Sequence, residues 1–572
     1  MGIQYLTKHL LPYAESIQLN GQTPGLEDPP RVRGVVIDGP SLVYHVHHRL
    51  LSWIDPSCDI LDVQPSCDEV SRGVCSYLLQ LNELGVEIHK ICFDGALPTP
   101  KRETRLSRNE KSRKRLELAR RDLPLHTAPK SRPPINPKAG QIWCSRGLPS
   151  RRKNLPENPF MVSTVYEDLK GRWSKESIRN NVDEDITSLI HQEEYPWAER
   201  TVMVPGEADV ECARVAKATG SAVLSGDSDL MVHDLGPEGS VVFLDSVQTP
   251  SGVWDAVAGD IRGLRICPAV LARKLGVASI QRFAFALTQN PHLRFAQIVQ
   301  AAKDDGGVTE SSDVYRNFLR EYEDQDTHLQ PAVGAGCLVQ DLDPRVSELV
   351  WQYQLPRIYC SDGVPHVYLG VLSEDHARQC AWRHGRDYRA LGYSFFNLSR
   401  AADNRYSIVR EYVRRGGRIV ADEVALSEEP YVKLELGLLR SRLESTRDTF
   451  GHSLATERFW VLFALSEIYR DASTTPTGKQ VEKFLAKGYM GQRTDWADVQ
   501  LLGQIQATLY SLRVLKQLLD IAAPDDDSVE SRSLLAELPP LYIMMSRRRM
   551  IESFADNRIA KDAVRRLFTT FF

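Results

Sequence analysis

Between Val204 and Leu230 the chain reads VPGEADVECARVAKATGSAVLSGDSDL: a helix opened by two acids, a glycine break, and a short apolar strand closed by two more acids. Glu207 and Asp209 begin the helix, and Asp227 and Asp229 follow the strand. Carboxylates gathered at the edge of an apolar core repel one another and lose hydration, so they are rarely brought together without a cation to neutralise them. The remaining sequence can be read by asking which other residues could join these four.

Residues 32–38, VRGVVID, form a β-branched apolar run ending in Asp38, which predicts a buried strand. A helix is expected to follow through Tyr44 and His45, then a loop containing Pro56 and Pro65. The spacing of Val70, Val74, Tyr77, Leu78, Leu81 and Leu84 predicts a helix over 68–84 that Gly85 stops. The run Val86 to Phe93 reads as a second strand and ends at Asp94. Helix 207–219, strand Ala222–Leu224 and strand Val241–Leu244 continue the alternation, which implies a parallel sheet with helices on both faces. A single Asp at a strand end is as readily a turn former or a helix cap. Six acids at one sheet edge (Asp38, Asp94, Glu207, Asp209, Asp227, Asp229) point instead to a shared site, because the carboxyl ends of parallel strands converge on one crevice.

Charge is unevenly distributed. Residues 101–121 hold ten Lys/Arg against three Glu, leaving the rest of the chain at −11 against a whole-chain −4. Residues 122–154 are proline-rich, with seven Lys/Arg against one Asp and no periodicity, and read as a flexible loop. Taken alone, such a run is an ordinary solvated face. Directly after Asp94 it would overhang the acids, the arrangement that a phosphodiester substrate calls for. Residues 160–173 and 184–191 read as short helices leading back to the fold.

With 572 residues the chain exceeds one core and should hold two to four domains. No apolar run is long enough to span a bilayer. The opening MGIQYLTKHLLPYAESI lacks the unbroken apolar core of a signal peptide, and Leu6 stands where myristoylation needs Ser or Thr. The ten cysteines are scattered without a CxxC pair, which argues against a zinc site or a disulfide framework and for a reducing, intracellular setting. Residues 259–572 show helical patterns at 266–276, 280–302, 345–354, 405–415, 431–446, 457–470, 498–521 and 550–569. Segment 457–470, ERFWVLFALSEIYR, is apolar enough for a central core helix. No catalytic constellation is readable in this half.

Six carboxylates at one crevice suit two divalent ions about 4 Å apart, Mg²⁺ or Mn²⁺, which need hard oxygen ligands and cut phosphodiesters without a general-base histidine. The competing motifs GxxxxGK[ST], GxSxG and HExxH are absent, as is GxGxxG after a strand.

The order Gly2, IDGPSLVY (37–44), CFDGALPTPKRETRLSR (92–108), VPGEAD (204–209) and SGDSDL (225–230) resembles the flap-endonuclease/XPG-type nucleases. Within that PIN-like superfamily it is most similar to the asteroid proteins, over roughly residues 1–250. The resemblance implies a first metal group of Asp38, Asp94, Glu207 and Asp209, and a second of Asp227 and Asp229. It implies that Tyr44 stacks on the nucleobase beside the cut, and that Lys101 and Arg108, with Arg102 and Arg105 on the same basic run, bind nucleic acid. Gly2 corresponds to the family's buried N-terminus near the active site. The family's last ligand Asp, in an LGxD motif, has its counterpart in LTQN (287–290), so Asn290 stands in its place; the glycine-rich hairpin that grips duplex DNA is missing.

The expected organisation is a PIN-like nuclease core over 1–258, with a basic insertion at about 101–155. A mainly α-helical domain over 259–572 follows, with an acidic linker at about 522–531. The expected function is metal-dependent hydrolysis of DNA with single-stranded ends, flaps or branches, in repair, with DNA favoured over RNA and the nucleus over the cytoplasm. The alternatives are a weak or inactive nucleic-acid scaffold, and a chain whose acids are structural and whose helical half binds a protein partner. The terminus RRLFTTFF (565–572) has Arg565 where a sliding-clamp box needs Gln, and is read as a helix end packed on the core.

Overall fold

The computed structural model describes the chain except residues 1–2, 22–28, 56–57, 59–60, 123–131, 133–134, 145, 149–154, 183–193, 250–260, 304–312, 323–338, 452–453, 471–474, 523–532, 534 and 572. The expected helix 184–191, the linker from 523 onward and Gly2 lie outside the described residues.

Eight strands form one sheet: β1 (Glu15–Leu19), β2 (Arg31–Val32), β3 (Gly34–Asp38), β4 (Glu87–Asp94), β5 (Thr201–Val204), β6 (Ala222–Ser225), β7 (Ser240–Phe243) and β8 (Arg262–Ile266). Their order is β2-β1-β8-β7-β6-β3-β4-β5. The strands β7-β6-β3-β4-β5 run parallel, whereas β8 pairs antiparallel with both β7 and β1. Val35, Val36 and Ile37 are fully buried, as expected for a central strand covered by helices on both faces. The chain runs from β3 outward through β4 to β5, then crosses to the other side of β3 to form β6 and β7. That reversal puts a topological switch point between β3 and β6, which is where open α/β sheets bind ligands.

The helices Gly39–Trp53, Cys67–Glu83 and Ala208–Thr219 stand close to their expected positions. The first part of the expected basic insertion is ordered: Arg102–Asp122 is a continuous helix of 21 residues. Glu110 and Glu117 each pair with Arg113 one turn away, which relieves part of the like-charge repulsion along it.

The second half is also less uniform than its periodicities suggest. Residues 405–415 are not helical: Ile408–Arg415 is β10, between β9 (His366–Tyr368) and β11 (Arg418–Ala425) in a separate three-stranded sheet. From Ile408 to Val413 the strand alternates accessible and buried positions, the period of a half-buried strand, and IVREYVRR pairs along its full length with β11. The patterns at 280–302 and 550–569 each resolve into two helices, Ile280–Gln289 with Phe295–Lys303, and Arg547–Ser553 with Asn557–Phe571. Helix Thr456–Tyr469 buries an unbroken run from Phe459 to Ser466, as its composition predicts. Leu567 of the last helix is fully buried, and Phe568 and Phe571 pack partly against the core.

The boundary expected at 258 does not separate two cores. β8 lies beyond it and completes the first sheet, and Leu271, Phe283, Leu287 and Ile298 share one apolar cluster with Val36 and Val223. A larger cluster runs continuously from Val35 and Ile37 to Leu512 and Leu567. The mixed architecture, an α/β core followed by a region dominated by helices, is otherwise as expected.

Candidate nucleic-acid-processing site

Each acid sits where a strand ends. Asp38 closes β3 and caps the helix Gly39–Trp53, its Oδ1 accepting from the Ser41 N–H at 3.2 Å and its Oδ2 from the Ser225 hydroxyl at 2.6 Å. Asp94 closes β4, and its Oδ1 accepts from the Ala208 N–H at 2.7 Å, tying that strand to the start of helix Ala208–Thr219. Glu207 and Asp209 follow β5, at that helix's N-cap and in its first turn, where the helix dipole favours negative charge. Asp227 and Asp229 follow β6. Asp227 Oδ1 accepts from the Asp229 N–H at 3.0 Å, and Asp229 Oδ1 from the Ile3 N–H at 2.8 Å.

All six line one cavity of about 1670 Å³. Burial, with Asp94 close by, pushes the Asp38 carboxyl up to about 6. Burial, with Glu207 close by, does the same to Asp94, and burial with Asp227 beside it takes Asp229 to about 6. Asp209 is held well above the ordinary carboxylate range by burial and by the charges of Asp38, Asp227, Asp94 and Glu207. These mutual repulsions link all six acids into a single electrostatic unit. Lys101 supplies a counter-charge: its Nζ stands 3.4 Å from Glu207 Oε1, and it also feels Asp229 and Asp209.

The donor set is oxygen only, which fits a hard divalent ion and not zinc. Among the described residues no three acidic, His or Cys side chains are gathered tightly enough to ligate one ion as they stand. The carboxylates converge on a cavity without yet converging on a point.

The structure separates the other expected residues. Tyr44 is 40% exposed and, like Lys101, Arg105 and Arg108, lines the cavity. Arg102 does not line it; it is bonded to Asp362 at 3.0 Å. Arg105 reaches the cavity but donates to both carboxylate oxygens of Glu348, at 2.5 and 2.6 Å, and lies over the Tyr368 ring. Asn290 is not brought into the crevice: it is the exposed cap of helix Ile280–Gln289, and the cavity is lined instead by Thr288 two residues earlier.

Several cavity residues were not anticipated. Asp245 stands just past β7 and pairs with His45 at 3.5 Å; VVFLD carries the same strand-then-acid signal as VVID and could have revealed it. Glu321, Tyr322, Arg345 and Arg357 come from the second half, where no local pattern marks them.

An independent comparison covers part of this site: Glu207, Asp209, Asp227 and Asp229 fall inside it, whereas Asp38, Asp94 and the basic helix Arg102–Asp122 precede it. Residues 157–426 match the protein-family model described as XPG domain containing. The match covers just under half of the chain and supports the XPG/PIN-like nuclease superfamily, a nuclease-type function and a nucleic-acid partner. It includes GEAD and GDSD, but it also continues through β8 and the three-stranded sheet. The matched stretch thus runs past residue 258. No curated protein and no solved structure matches the chain. Among the described residues no helix is long and apolar enough to cross a membrane.

Proposed function

We propose that the protein is an asteroid-like, structure-specific nuclease that hydrolyses phosphodiesters in DNA with single-stranded ends, flaps or branches, using two Mg²⁺ or Mn²⁺ ions, in nuclear DNA repair. The observation that carries this reading is the convergence of Asp38, Asp94, Glu207, Asp209, Asp227 and Asp229 on one cavity flanked by a basic helix. Bound there, the ions would supply a metal-activated water and charge stabilisation at the phosphate. The first group, Asp38, Asp94, Glu207 and Asp209, would hold one ion; Asp227 and Asp229 would hold the other.

The protein's own groups do the rest. Ser225 and Ser41 orient the Asp38 carboxylate, and the Ala208 N–H orients that of Asp94. Lys101, paired with Glu207 in the absence of substrate, is placed to turn towards a phosphate once the acids are otherwise neutralised. Tyr44 offers an accessible ring for a base to stack on.

The test is incubation of the full chain with labelled flap, fork, overhang and blunt DNA in Mg²⁺ or Mn²⁺, against EDTA and against Asp227→Ala with Asp229→Ala. Metal-dependent cleavage that the double variant loses supports the assignment; cleavage unaffected by it overturns the site.

The placement of Asn290 favours a second reading. Without a further ligand from that position, the Asp227/Asp229 half has two carboxylates, and a protein with one strong ion site could serve as a nucleic-acid scaffold. That reading expects tight binding that survives EDTA and Asp38→Asn, with no turnover on any substrate.

A further inference from the structure

The basic helix is less available to a substrate than its charge suggests. Arg102 is held by Asp362, Arg105 by Glu348, Arg113 by Glu110 and Glu117, Arg115 by Glu157, and Arg120 by Asp375. Arg345 stands differently. It lies in the first turn of helix Pro344–Gln354 and lines the cavity. Its Nη1 donates to the Tyr510 hydroxyl at 2.9 Å, and its Nη2 to the Pro159 carbonyl at 2.6 Å. Both acceptors are neutral, and among the described residues no carboxylate forms an ion pair with it. Tyr510 is itself fixed, since its hydroxyl donates to Asp343 Oδ1 at 2.6 Å.

A guanidinium has five N–H donors in a planar fork suited to phosphate. Here two contacts to neutral oxygens aim the fork and leave its charge and remaining donors to the cavity. Tyr44, with its exposed ring, lines the same cavity as Arg345, Arg108 and Arg105, and feels the charge of Glu157 and, against it, those of the three cations. Arg105 is paired directly with Glu348; Arg345 has no direct carboxylate pair among the described residues, and Asp343 is linked to it through the Tyr510 hydroxyl. We infer that Arg345, supplied by the second half of the chain, binds a backbone phosphate of a single strand whose base lies against Tyr44. This rests on the proposed nucleic-acid substrate, but not on cleavage, because a phosphate contact forms with or without the ions.

The experiment is fluorescence anisotropy of the full chain with a labelled single-stranded oligonucleotide, as DNA and as RNA of one sequence, in EDTA over a salt series. Arg345→Gln is expected to weaken binding about tenfold and to lower the salt slope by about one, equally for DNA and RNA because the phosphate is common to both. Arg345→Lys should keep the slope, whereas Arg565→Gln, a charge loss on the exposed face of the last helix and outside the cavity, should stay within about twofold of wild type. Should Arg345→Gln not fold, Tyr510→Phe provides the second test. It leaves the charge but releases its aim, and several-fold weaker binding at an unchanged slope is expected. Wild-type affinity and slope in a folded Arg345→Gln, wild-type affinity in Tyr510→Phe, or a loss on only one kind of strand would each overturn the inference. Absence of cleavage in Mn²⁺ would count against the nuclease reading alone.

Discussion

At the scale of single residues, the acids are held in place against their own repulsion. Asp209 feels four neighbouring carboxylates, and its neutral isostere should relieve that strain. Asp209→Asn is expected to stabilise the ion-free protein by about 1 kcal/mol in urea unfolding while abolishing metal-dependent cleavage, the usual trade between stability and an active site. Protonation should act the same way. A carboxyl raised to about 6 in the folded state, as at Asp94, holds its proton more tightly there than in the unfolded chain, where the value is about 4. Its contribution to stability is complete below about 4 and is lost as pH rises through about 6. Buried His47 and His233, held down to about 3 and about 4, act in the opposite direction, so the informative quantity is a difference. In EDTA, the stability of wild type minus that of Asp94→Asn is expected to fall as pH rises from about 4 to about 7. A difference independent of pH would refute the burial and repulsion assigned to Asp94.

At the scale of elements, one close backbone approach and four side-chain pairs decide how the site is walled. Gly95 follows Asp94 where β4 meets β5, and an added Cβ would come within 2.0 Å of the Val204 carbonyl oxygen. Gly95→Ala should therefore cost about 2 kcal/mol or more and lower the melting temperature, because the obstacle is backbone and cannot swing aside. The basic helix is pinned to the second half by Arg102–Asp362, Arg105–Glu348, the Arg113–His376 contact at 3.2 Å and Arg120–Asp375. Glu348 is almost completely buried, so Glu348→Gln should cost about 1–3 kcal/mol and speed hydrogen exchange over 102–122. Exchange unchanged in that segment would mean the helix is fixed by its apolar contacts alone. The charge of 101–121 was plain in the sequence; its pairing was not, because Asp362, Glu348 and Asp375 lie more than two hundred residues away.

At the scale of the whole molecule, the two halves share one apolar interior. The cluster that begins at Val35 and Ile37 continues to Leu512, and β8 is needed to join β1 to β7. A fragment ending at 258 should accordingly not fold cooperatively: no sharp melting transition is expected, whereas the full chain should show one. A fragment that melts as sharply as the intact protein would contradict the shared core.

What the sequence determined by itself was the string of strand-terminal acids and the alternation of strands and helices around them. Both are local patterns, a β-branched run then Asp at 35–38, and an apolar strand then GDSD at 222–229, and short-range physics suffices to place each at a strand's carboxyl end. Tertiary structure alone decided which strands became neighbours. The reversal after β5 brought β6 beside β3 and so set Ser225, two residues before Asp227, against the Asp38 carboxylate. Packing of the second half left Asn290 outside the cavity lining and brought Arg345 to it. Whether a distant side chain reaches a cavity depends on packing across hundreds of residues, and no local period records that. The acids of Val204–Leu230 were legible because their backbone neighbours place them; Arg345 was not, because Tyr510 and Pro159 do.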